Sequence, residues 1–385
     1  MVVLVALTLA SCKRREVPPP EPAATLESVT FASLPGWADD DHAAALTAFL
    51  RSCGRLAAQP AERAMGREPW AGRIGDWQPA CEAAKGAATT ARTFLEQWFQ
   101  PFRLTDRGRP DGLFTGYYEP LLDGSLTSDA RFTVPLYKRP ADLVSVDLGQ
   151  FDPELQGRRI AGKVASGKLV PYAPRAEIVR GALAGQGLEL LWVDDPVAAF
   201  FLEIQGSGQI RLTDGSTLRV GYADQNGQPY RAIGKDLVEL GALERGKVSL
   251  QAIRAWLAAH PDRAPEILDR NRSYVFFRSL PQLAQAPGPL GAQNVPLTPG
   301  RSLAVDRRFV PLGVPLWLDT TAPMPDGERP LRRLVIAQDT GGAIRGVVRG
   351  DVFWGAGAEA EHAAGHMQSR GRLYILLPRT LAPTS

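Results

Sequence analysis

The chain has 385 residues, of which 44% are hydrophobic and 22% are charged. These values are typical of globular proteins and exclude a wholly disordered chain. The formal net charge of +3 is small and evenly spread, so nucleic-acid binding is not predicted. No run of about 18 apolar residues occurs, so we expect no membrane-spanning helix. The 38 glycines and 32 prolines favour short strands and turns over a helical bundle.

The N-terminus begins with a short apolar segment at residues 2–10. The segment is too short to span a bilayer but is typical of a secretion signal, so we expect residues 1–11 to be a signal peptide. The run Leu9-Ala10-Ser11-Cys12 resembles a bacterial lipobox, in which Cys12 carries lipid. A chance cysteine in a hydrophobic tail is the alternative. The Pro-rich stretch that follows predicts that residues 12–30 are a lipidated N-terminus and a semi-rigid spacer.

Two helices are predicted in the next part of the chain. Residues 40–53 and 88–99 both carry apolar side chains at helical spacing. If Cys12 is lipidated, the remaining Cys53 and Cys81 form an even pair, which in an oxidising compartment favours a disulfide. That disulfide would join the first helix to the loop before the second. Two buried free thiols are the alternative.

The rest of the chain is dominated by β-rich patterns. Short runs separated by Gly, Pro and Asp extend from about residue 112 to 232. A helical stretch is predicted from Lys235 to Leu268, with Ser249 as an N-cap. From residue 271 the pattern predicts further strands, whose spacing favours a small barrel. These strands are Tyr274–Phe277, Leu303–Val305, Pro315–Leu318, Leu334–Ala337, Gly346–Val348 and Leu373–Leu377.

Three aspartates stand where C-terminal strands give way to turns. They are Asp306, Asp339 and Asp351, the last two beside glycines. A single Asp near Gly is usually a turn former, but three in one β segment indicate a group of functional carboxyls. The Asp-Thr-Gly run at Asp339 is also typical of aspartic proteases, although only one copy is present. His362 and His366 have metal-pair spacing without an obvious third ligand, so we predict neither a metal nor a cofactor.

Two further segments have the composition of carbohydrate sites. Residues 116–120 combine two aromatic side chains with a carboxylate, and residues 203–208 combine an amide with a hydroxyl. The segment 271–274 has the same character. Taken singly, each segment fits a structural role in core and turns better than a sugar-binding role.

Taken together, these segments resemble the membrane-bound lytic murein transglycosylase A family. The matching runs are residues 115–120, 201–208, 220–227 and 271–274, followed by the three-aspartate segment. The resemblance keeps the order of the motifs and extends over roughly residues 35–378.

The resemblance implies a fold and a division of the chain. The protein would be mainly β with peripheral helices. Residues 31–123 and 267–380 would form a double-psi β-barrel, and residues 124–266 an inserted β-rich domain. Glycan strands of peptidoglycan would bind in the groove between them. A lipid on Cys12, followed by Lys13 rather than Asp, would place the protein at the inner leaflet of the outer membrane, facing the periplasm.

The resemblance also implies the site. The catalytic residues would be Asp351, Asp339 and Asp306, with Asp351 as the acid and the other two close to it. The substrate-binding residues would be Thr115, Tyr117, Glu119, Gln205, Ser207, Asn271 and Ser273.

The implied reaction is lytic cleavage of peptidoglycan. The β-1,4 bond between N-acetylmuramic acid and N-acetylglucosamine would break with formation of a 1,6-anhydromuramoyl product. One aspartate would act first as acid and then as base, because the attacking C6 hydroxyl belongs to the same sugar. A glycoside hydrolase of related fold that uses two aspartates, and a non-catalytic peptidoglycan-binding lipoprotein, are the alternatives.

Overall fold

The computed structural model describes residues 22–155, 158–281 and 286–381. The expected signal peptide, Cys12 and most of the expected spacer lie outside the described residues. Within these ranges, no helix is long and apolar enough to cross a bilayer.

The helices of the described residues lie at the periphery of the β structure. They are α1 (His42–Ala57), α2 (Ile74–Ala84), α3 (Ala91–Trp98), α4 (Arg175–Glu177), α5 (Pro196–Gln205), α6 (Ile233–Glu239), α7 (Leu250–Ala259), α8 (Ala264–Asp269) and α9 (Ala358–His366).

Strands contain more of the described residues than the helices do and form the sheets of the core, so the expected mainly β class is confirmed. They are β1 (Ala24–Ser28), β2 (Phe99–Asp106), β3 (Gly112–Glu119), β4 (Leu121–Ser125), β5 (Val134–Tyr137), β6 (Val144–Asp147), β7 (Arg159–Ala165), β8 (Lys168–Pro171), β9 (Glu189–Val193), β10 (Ser207–Leu212), β11 (Thr217–Gln225), β12 (Val275–Ser279), β13 (Ser302–Val305), β14 (Pro315–Met324), β15 (Gly327–Asp339), β16 (Arg349–Ala356) and β17 (Gln368–Pro378).

Six strands close into a barrel. The ring runs β17-β14-β15-β13-β16-β3, and β3 pairs back onto β17. The pairs β13–β15 and β16–β3 are parallel, and the other four are antiparallel. Alternate side chains, such as Phe114 and Val352, join the main hydrophobic core together with the apolar faces of α1, α2 and α3. The strands β2 and β1 continue the sheet beyond β17.

A second six-stranded sheet has the order β12-β11-β10-β4-β9-β5. An isolated bridge between Lys138 and Phe277 joins its two ends. Its core contains Leu191, Ile210 and Val220, each fully buried. A smaller sheet of β6, β7 and β8 accompanies it. The second sheet uses β12 and the start of β4, which lie outside the range 124–266 expected for the insert.

Several predicted elements agree with the structure. The helix predicted at 40–53 is α1, and Asp41 caps it by accepting from the Ala44 N–H at 3.1 Å. Ser249 caps α7 in the same way, with the Ala252 N–H at 3.1 Å. Five of the six predicted C-terminal strands are present. The sixth was wrong, because residues 346–348 form a bend and β16 begins only at Arg349.

The predicted surroundings of Cys81 were also wrong. Cys81 lies within α2, not in a loop, and α2 was missed because Pro79 falls inside it. Proline weakens a helix, but packing of an apolar face can outweigh that preference. Ile74, Trp77 and Cys81 form such a face and are buried in the main core. The Sγ atoms of Cys53 and Cys81 are bonded and tie α1 to α2.

Removal of this disulfide is expected to destabilise the barrel domain. In urea, the variant with Cys53→Ala and Cys81→Ala should have a free energy of unfolding about 3 to 4 kcal/mol lower than the oxidised wild type. The reason is that the covalent loop, which joins residues 28 positions apart, no longer restricts the unfolded chain. Wild-type protein held in dithiothreitol is the control and should match the double variant. Equal unfolding free energies for the oxidised wild type and the variant would contradict the expectation.

Candidate active site

The parallel pairing of β3 with β16 places the candidate acid. Asp351 lies opposite Thr115, and Phe353 lies opposite Tyr117. Because side chains alternate along a strand, these residues occupy the face opposite to the barrel core. Tyr117 and Phe353 belong there to a small apolar cluster with Leu297, Ala304 and Ile344.

Asp351 has one hydrogen-bond partner of particular interest. The Thr115 hydroxyl donates to Asp351 Oδ1 at 2.7 Å, and Arg349 Nη2 donates to the same hydroxyl at 2.8 Å. Thr115 therefore separates the guanidinium from the carboxyl. Among the described residues, no Lys, Arg or His forms a salt bridge with Asp351. The carboxyl is half-buried and is not neutralised by an ion pair.

The surroundings of Asp351 favour its protonated form. Burial raises the pKa of Asp351 to about 6, and the negative charge of Asp339 acts in the same direction. The nearby charge of Arg349 and the hydrogen bond from Thr115 lower this pKa without cancelling the effect of burial. Near pH 6 the side chain therefore exists in both protonation states, as a group that alternately donates and accepts a proton requires.

Asp339 lies close to this acid but is more firmly held. Its Oδ1 accepts from the backbone N–H groups of Ala292 and Thr340 at 2.8 and 2.9 Å, and its Oδ2 accepts from the Tyr117 hydroxyl at 2.8 Å. Burial raises the pKa of Asp339 and raises the pKa of Tyr117 well above its ordinary value. Tyr117 thus remains a hydrogen-bond donor and links Asp339 to β3.

Asp306 is held by an ion pair and a backbone hydrogen bond, and its expected catalytic role stays a prediction. Its side chain is 1% exposed, forms a salt bridge with Arg308 at 2.6 Å and accepts from the Gly346 N–H at 2.9 Å. Burial acts to raise the pKa of Asp306, but the hydrogen bonds from Arg308 and Gly346 outweigh it and hold the pKa below its ordinary value. Asp306 is therefore an ionised group that fixes the loop before β16.

Glu119 is buried and has internal partners. It is 1% exposed and pairs with Arg219 at 2.7 Å, while Gln209 donates to it at 3.0 Å. Gln205 is also used internally, because its Oε1 accepts from the Tyr118 N–H at 3.1 Å. Ser207 is buried within β10. The expected substrate-binding roles of Glu119, Gln205 and Ser207 stay predictions.

Asn271 and Ser273 are likewise buried, and the structure gives them internal partners. Asn271 Oδ1 accepts from the backbone N–H groups of Arg231 and Ser273 at 3.1 and 3.2 Å. The carbonyl oxygens of Asn271 and Ser273 accept from Arg175 at 3.0 and 2.7 Å, and Arg175 in turn pairs with Glu203. These contacts fix the segment around Arg231, and the expected substrate-binding roles of Asn271 and Ser273 stay predictions.

The sequence interpretation missed Tyr230. Partial burial of its phenol and the negative charge of Asp351 raise the pKa of Tyr230, although the residue is 44% exposed. Asn271 Oδ1 accepts from the adjoining Arg231 N–H at 3.1 Å, which fixes the backbone next to Tyr230. Its neighbours in sequence, Gly227 to Ala232, carry no strand or helix pattern that could have marked it.

A cavity of about 370 Å³ adjoins strand β3 at Thr115. Its lining comes from the barrel and from the segment around the start of α7. The lining residues are Thr115, Gly246, Lys247, Val248, Ser249, Leu250, Ile253, Gly365, His366, Met367 and Gln368.

The histidine pair has a local explanation. The rings of His362 and His366 lie 4.4 Å apart on α9, and His366 Nδ1 is 2.9 Å from the His362 carbonyl oxygen. Across the described ranges, no three His, Cys, Asp or Glu side chains come together in a metal-binding group.

Two family models match the chain. The model described as the MltA specific insert domain matches residues 113–278, and the 3D domain model matches residues 301–377. The first range contains β3 and the second sheet, and the second contains all three aspartates.

Curated relatives match over a long region. The membrane-bound lytic murein transglycosylase A of Vibrio cholerae is 35% identical over 270 residues, which cover 69% of this chain and 65% of that protein. The corresponding protein of Escherichia coli K12 is 34% identical over 271 residues. The matched region thus spans just under two thirds of these relatives.

Solved structures match over a greater share of their length. A membrane-bound lytic murein transglycosylase from Agrobacterium tumefaciens is 35% identical, with a TM-score of 0.80 over 92% of this chain and 98% of that one. Escherichia coli MltA with bound chitohexaose is 26% identical, with a TM-score of 0.66 over 88% of this chain and 90% of that one. By its sequence and its fold, the chain belongs to the membrane-bound lytic murein transglycosylase A family.

Proposed function

We propose that the protein is a lytic transglycosylase that cleaves the β-1,4 bond between N-acetylmuramic acid and N-acetylglucosamine in peptidoglycan. The observation that carries this proposal is Asp351, a half-buried carboxyl with a pKa of about 6 and no ion pair among the described residues. The family membership supports the substrate class.

The proposed reaction begins with proton transfer from Asp351. The carboxylic acid protonates the glycosidic oxygen as the bond to C1 of N-acetylmuramic acid breaks, and positive charge develops on the ring. The resulting carboxylate then accepts the proton of the C6 hydroxyl as that oxygen bonds to C1. The product is a 1,6-anhydromuramoyl end, and Asp351 returns to its acid form. No water enters the reaction.

The partners of the other two aspartates support a single catalytic carboxyl. A hydrolase would need a second free carboxylate to activate water or to form a covalent bond. Asp339 accepts three hydrogen bonds, and Asp306 is paired with Arg308. In the proposed mechanism, Asp339 raises the pKa of Asp351 by its charge and stabilises the developing positive charge on the sugar ring.

We further propose that the glycan lies between the two β structures, in a groove past Asp351. The closeness of Tyr230 to Asp351 and the cavity beside Thr115 support this placement. A relative of 26% identity binds chitohexaose, a sugar oligomer like the proposed glycan substrate. In this proposal the barrel is of the double-psi type, supported by its two parallel pairings, and the insert extends from about residue 121 to 279.

The proposal includes a membrane location. The relatives carry the description membrane-bound in their names. Cys12 follows a lipobox-like run, and we propose that a lipid on Cys12 holds the protein at the periplasmic face of the outer membrane.

Asp351→Asn is expected to lower the release of anhydromuropeptides from purified murein by about a thousandfold, because an amide cannot donate the proton. Asp262→Asn, a surface change, is the control and should retain wild-type activity. Mass spectrometry identifies the product, since hydrolysis would add one water. Hydrated products from the wild type would favour the hydrolase, and binding to murein without release would favour a non-catalytic protein.

The pH dependence of kcat/KM should report the acid. Activity is expected to fall as the pH rises through about 6, because the protonated form of Asp351 is lost. Thr115→Val removes a hydrogen bond to the carboxylate and should move this limb upward by about one pH unit. Thr115→Ser restores the hydroxyl and should restore the wild-type profile. An unchanged limb in Thr115→Val would assign the titration to another group.

Stability gives an independent measure of the same pKa. The folded state raises the pKa of Asp351 from 3.8 to about 6, so ionisation costs folding free energy as the pH rises through this range. Asp351→Asn should therefore raise the free energy of unfolding at neutral pH by up to about 2 kcal/mol, after allowance for the partial exposure of the carboxyl. Urea unfolding near pH 4 should show little difference between the two proteins. The same offset at both pH values would contradict a raised pKa.

A further inference from the structure

The three-stranded sheet of β6, β7 and β8 has one wholly apolar face. The register pairs Val146 with Ile160 and Val164 with Leu169. Directly paired residues point to the same side of a sheet, and so do alternate residues along a strand. The register therefore shows which residues share the outer face. They are Val144, Val146, Ile160, Gly162, Val164, Leu169 and Pro171.

The opposite face of this sheet is the one that packs on the protein. Ala161 contacts the buried cluster around Tyr172, and Ser145 Oγ donates to Asp224 Oδ2 at 2.8 Å. The chain at Gly227 lies so close to Ala161 that an added Cβ would come within 2.4 Å of the Ala161 carbonyl oxygen. The apolar face is therefore directed away from the body of the molecule.

The apolar face is exposed. Val164 is 63% exposed and Leu169 is 40% exposed at the tip of the β7–β8 hairpin. Phe151, in the connection that follows β6, is 78% exposed. Exposed aliphatic residues scattered singly need no explanation, but a continuous face on one sheet marks a site of interaction.

The charges of the hairpin indicate what this face contacts. Residues 158–171 contain Arg158, Arg159, Lys163 and Lys168 and no acidic residue. Within the described part of the chain, none of these four forms a salt bridge. Lys163 and Lys168 precede Val164 and Leu169 in sequence but point to the opposite side of the hairpin, where the Lys163 ammonium lies 5.8 Å from the centre of the Tyr172 ring. The tip therefore carries Lys168 on one side and Val164 and Leu169 on the other. Such a tip is complementary to acyl chains beneath anionic headgroups.

The shape of the hairpin disfavours a protein partner. Its edge strand β8 has only four residues and contains Lys168 and Pro171, which oppose the addition of a further strand. The tip is a tight turn at Ser166 and Gly167, both of which have positive φ. The tip is therefore a narrow protrusion, whereas a stable protein interface needs a broad surface. A protrusion of this kind fits into a bilayer surface.

We propose that the β7–β8 hairpin is a membrane-docking element that inserts Val164 and Leu169 into a bilayer with anionic headgroups. It would be a second membrane contact, separate from a lipid on Cys12. The inference assumes the membrane location proposed above, but it does not depend on the reaction at Asp351.

Vesicle co-sedimentation of the full chain carrying Cys12→Ser tests the proposal without a lipid anchor. This protein should bind vesicles of phosphatidylcholine mixed with phosphatidylglycerol and should bind phosphatidylcholine alone much more weakly. Adding Val164→Glu and Leu169→Glu should weaken binding to the anionic vesicles by about tenfold or more. Met324→Glu, an exposed apolar position on the β14–β15 hairpin, is the matched control and should bind as the parent does.

Two further measurements keep the test decisive. The melting temperatures and murein cleavage of all variants should match those of the parent, because the altered side chains are exposed. Equal vesicle binding by the double variant and the Met324→Glu control would overturn the proposal, as would absence of binding by the parent. A parent dimer that the double variant loses, seen by light scattering, would also overturn it and assign the face to a second copy. If the Cys12→Ser parent binds the anionic vesicles as expected but does not cleave murein, the proposed function is refuted and this inference stands.

Discussion

The site depends on a carboxyl that is withdrawn from water without receiving a counter-ion. Asp351 faces an apolar cluster that contains Tyr117 and Phe353, and the nearest cation, Arg349, is directed to the Thr115 hydroxyl. A direct ion pair would lower the pKa of Asp351 and keep it ionised, whereas full exposure would return it to its ordinary value. The intermediate arrangement produces a proton donor in mildly acidic to neutral conditions.

The neighbouring structure preserves this arrangement by satisfying other charges internally. Asp306 is paired with Arg308, Glu119 with Arg219, and Glu203 with Arg175. Each buried pair would be costly to break, since the remaining charge would lie in a poorly solvated place. These pairs therefore fix the loops and strands around the site. Their residue types, taken alone, are also typical of sites that bind carbohydrate.

The sequence predicted features that depend on local patterns. Helix α1 and the cap at Ser249 follow from apolar spacing and from side-chain hydrogen bonding within one turn. The positions of Asp306 and Asp339 at the ends of strands were also accessible, as was the family resemblance carried by the motifs, whereas Asp351 lies inside β16. Helix α2 was hidden by Pro79, because the packing of Trp77 and Cys81 that outweighs it involves residues distant in sequence.

The roles of individual polar residues were less predictable. Glu119 meets Arg219 a hundred positions later, and Asn271 meets Arg231 forty positions earlier. No local pattern distinguishes such a buried partner from a residue that contacts a sugar. Tyr230 was missed for the same reason, because only the folded chain brings it near Asp351.

Strand β3 has one consequence for how the two β structures are joined. Its eight residues carry Thr115, which meets the barrel at Asp351, and Glu119, which meets the second sheet at Arg219. Because successive side chains point to opposite sides, a shift of one position would reverse every orientation along the strand. Inserting or deleting a single amino acid here would therefore misplace the hydroxyl beside the proton donor and the anchor of the neighbouring sheet simultaneously.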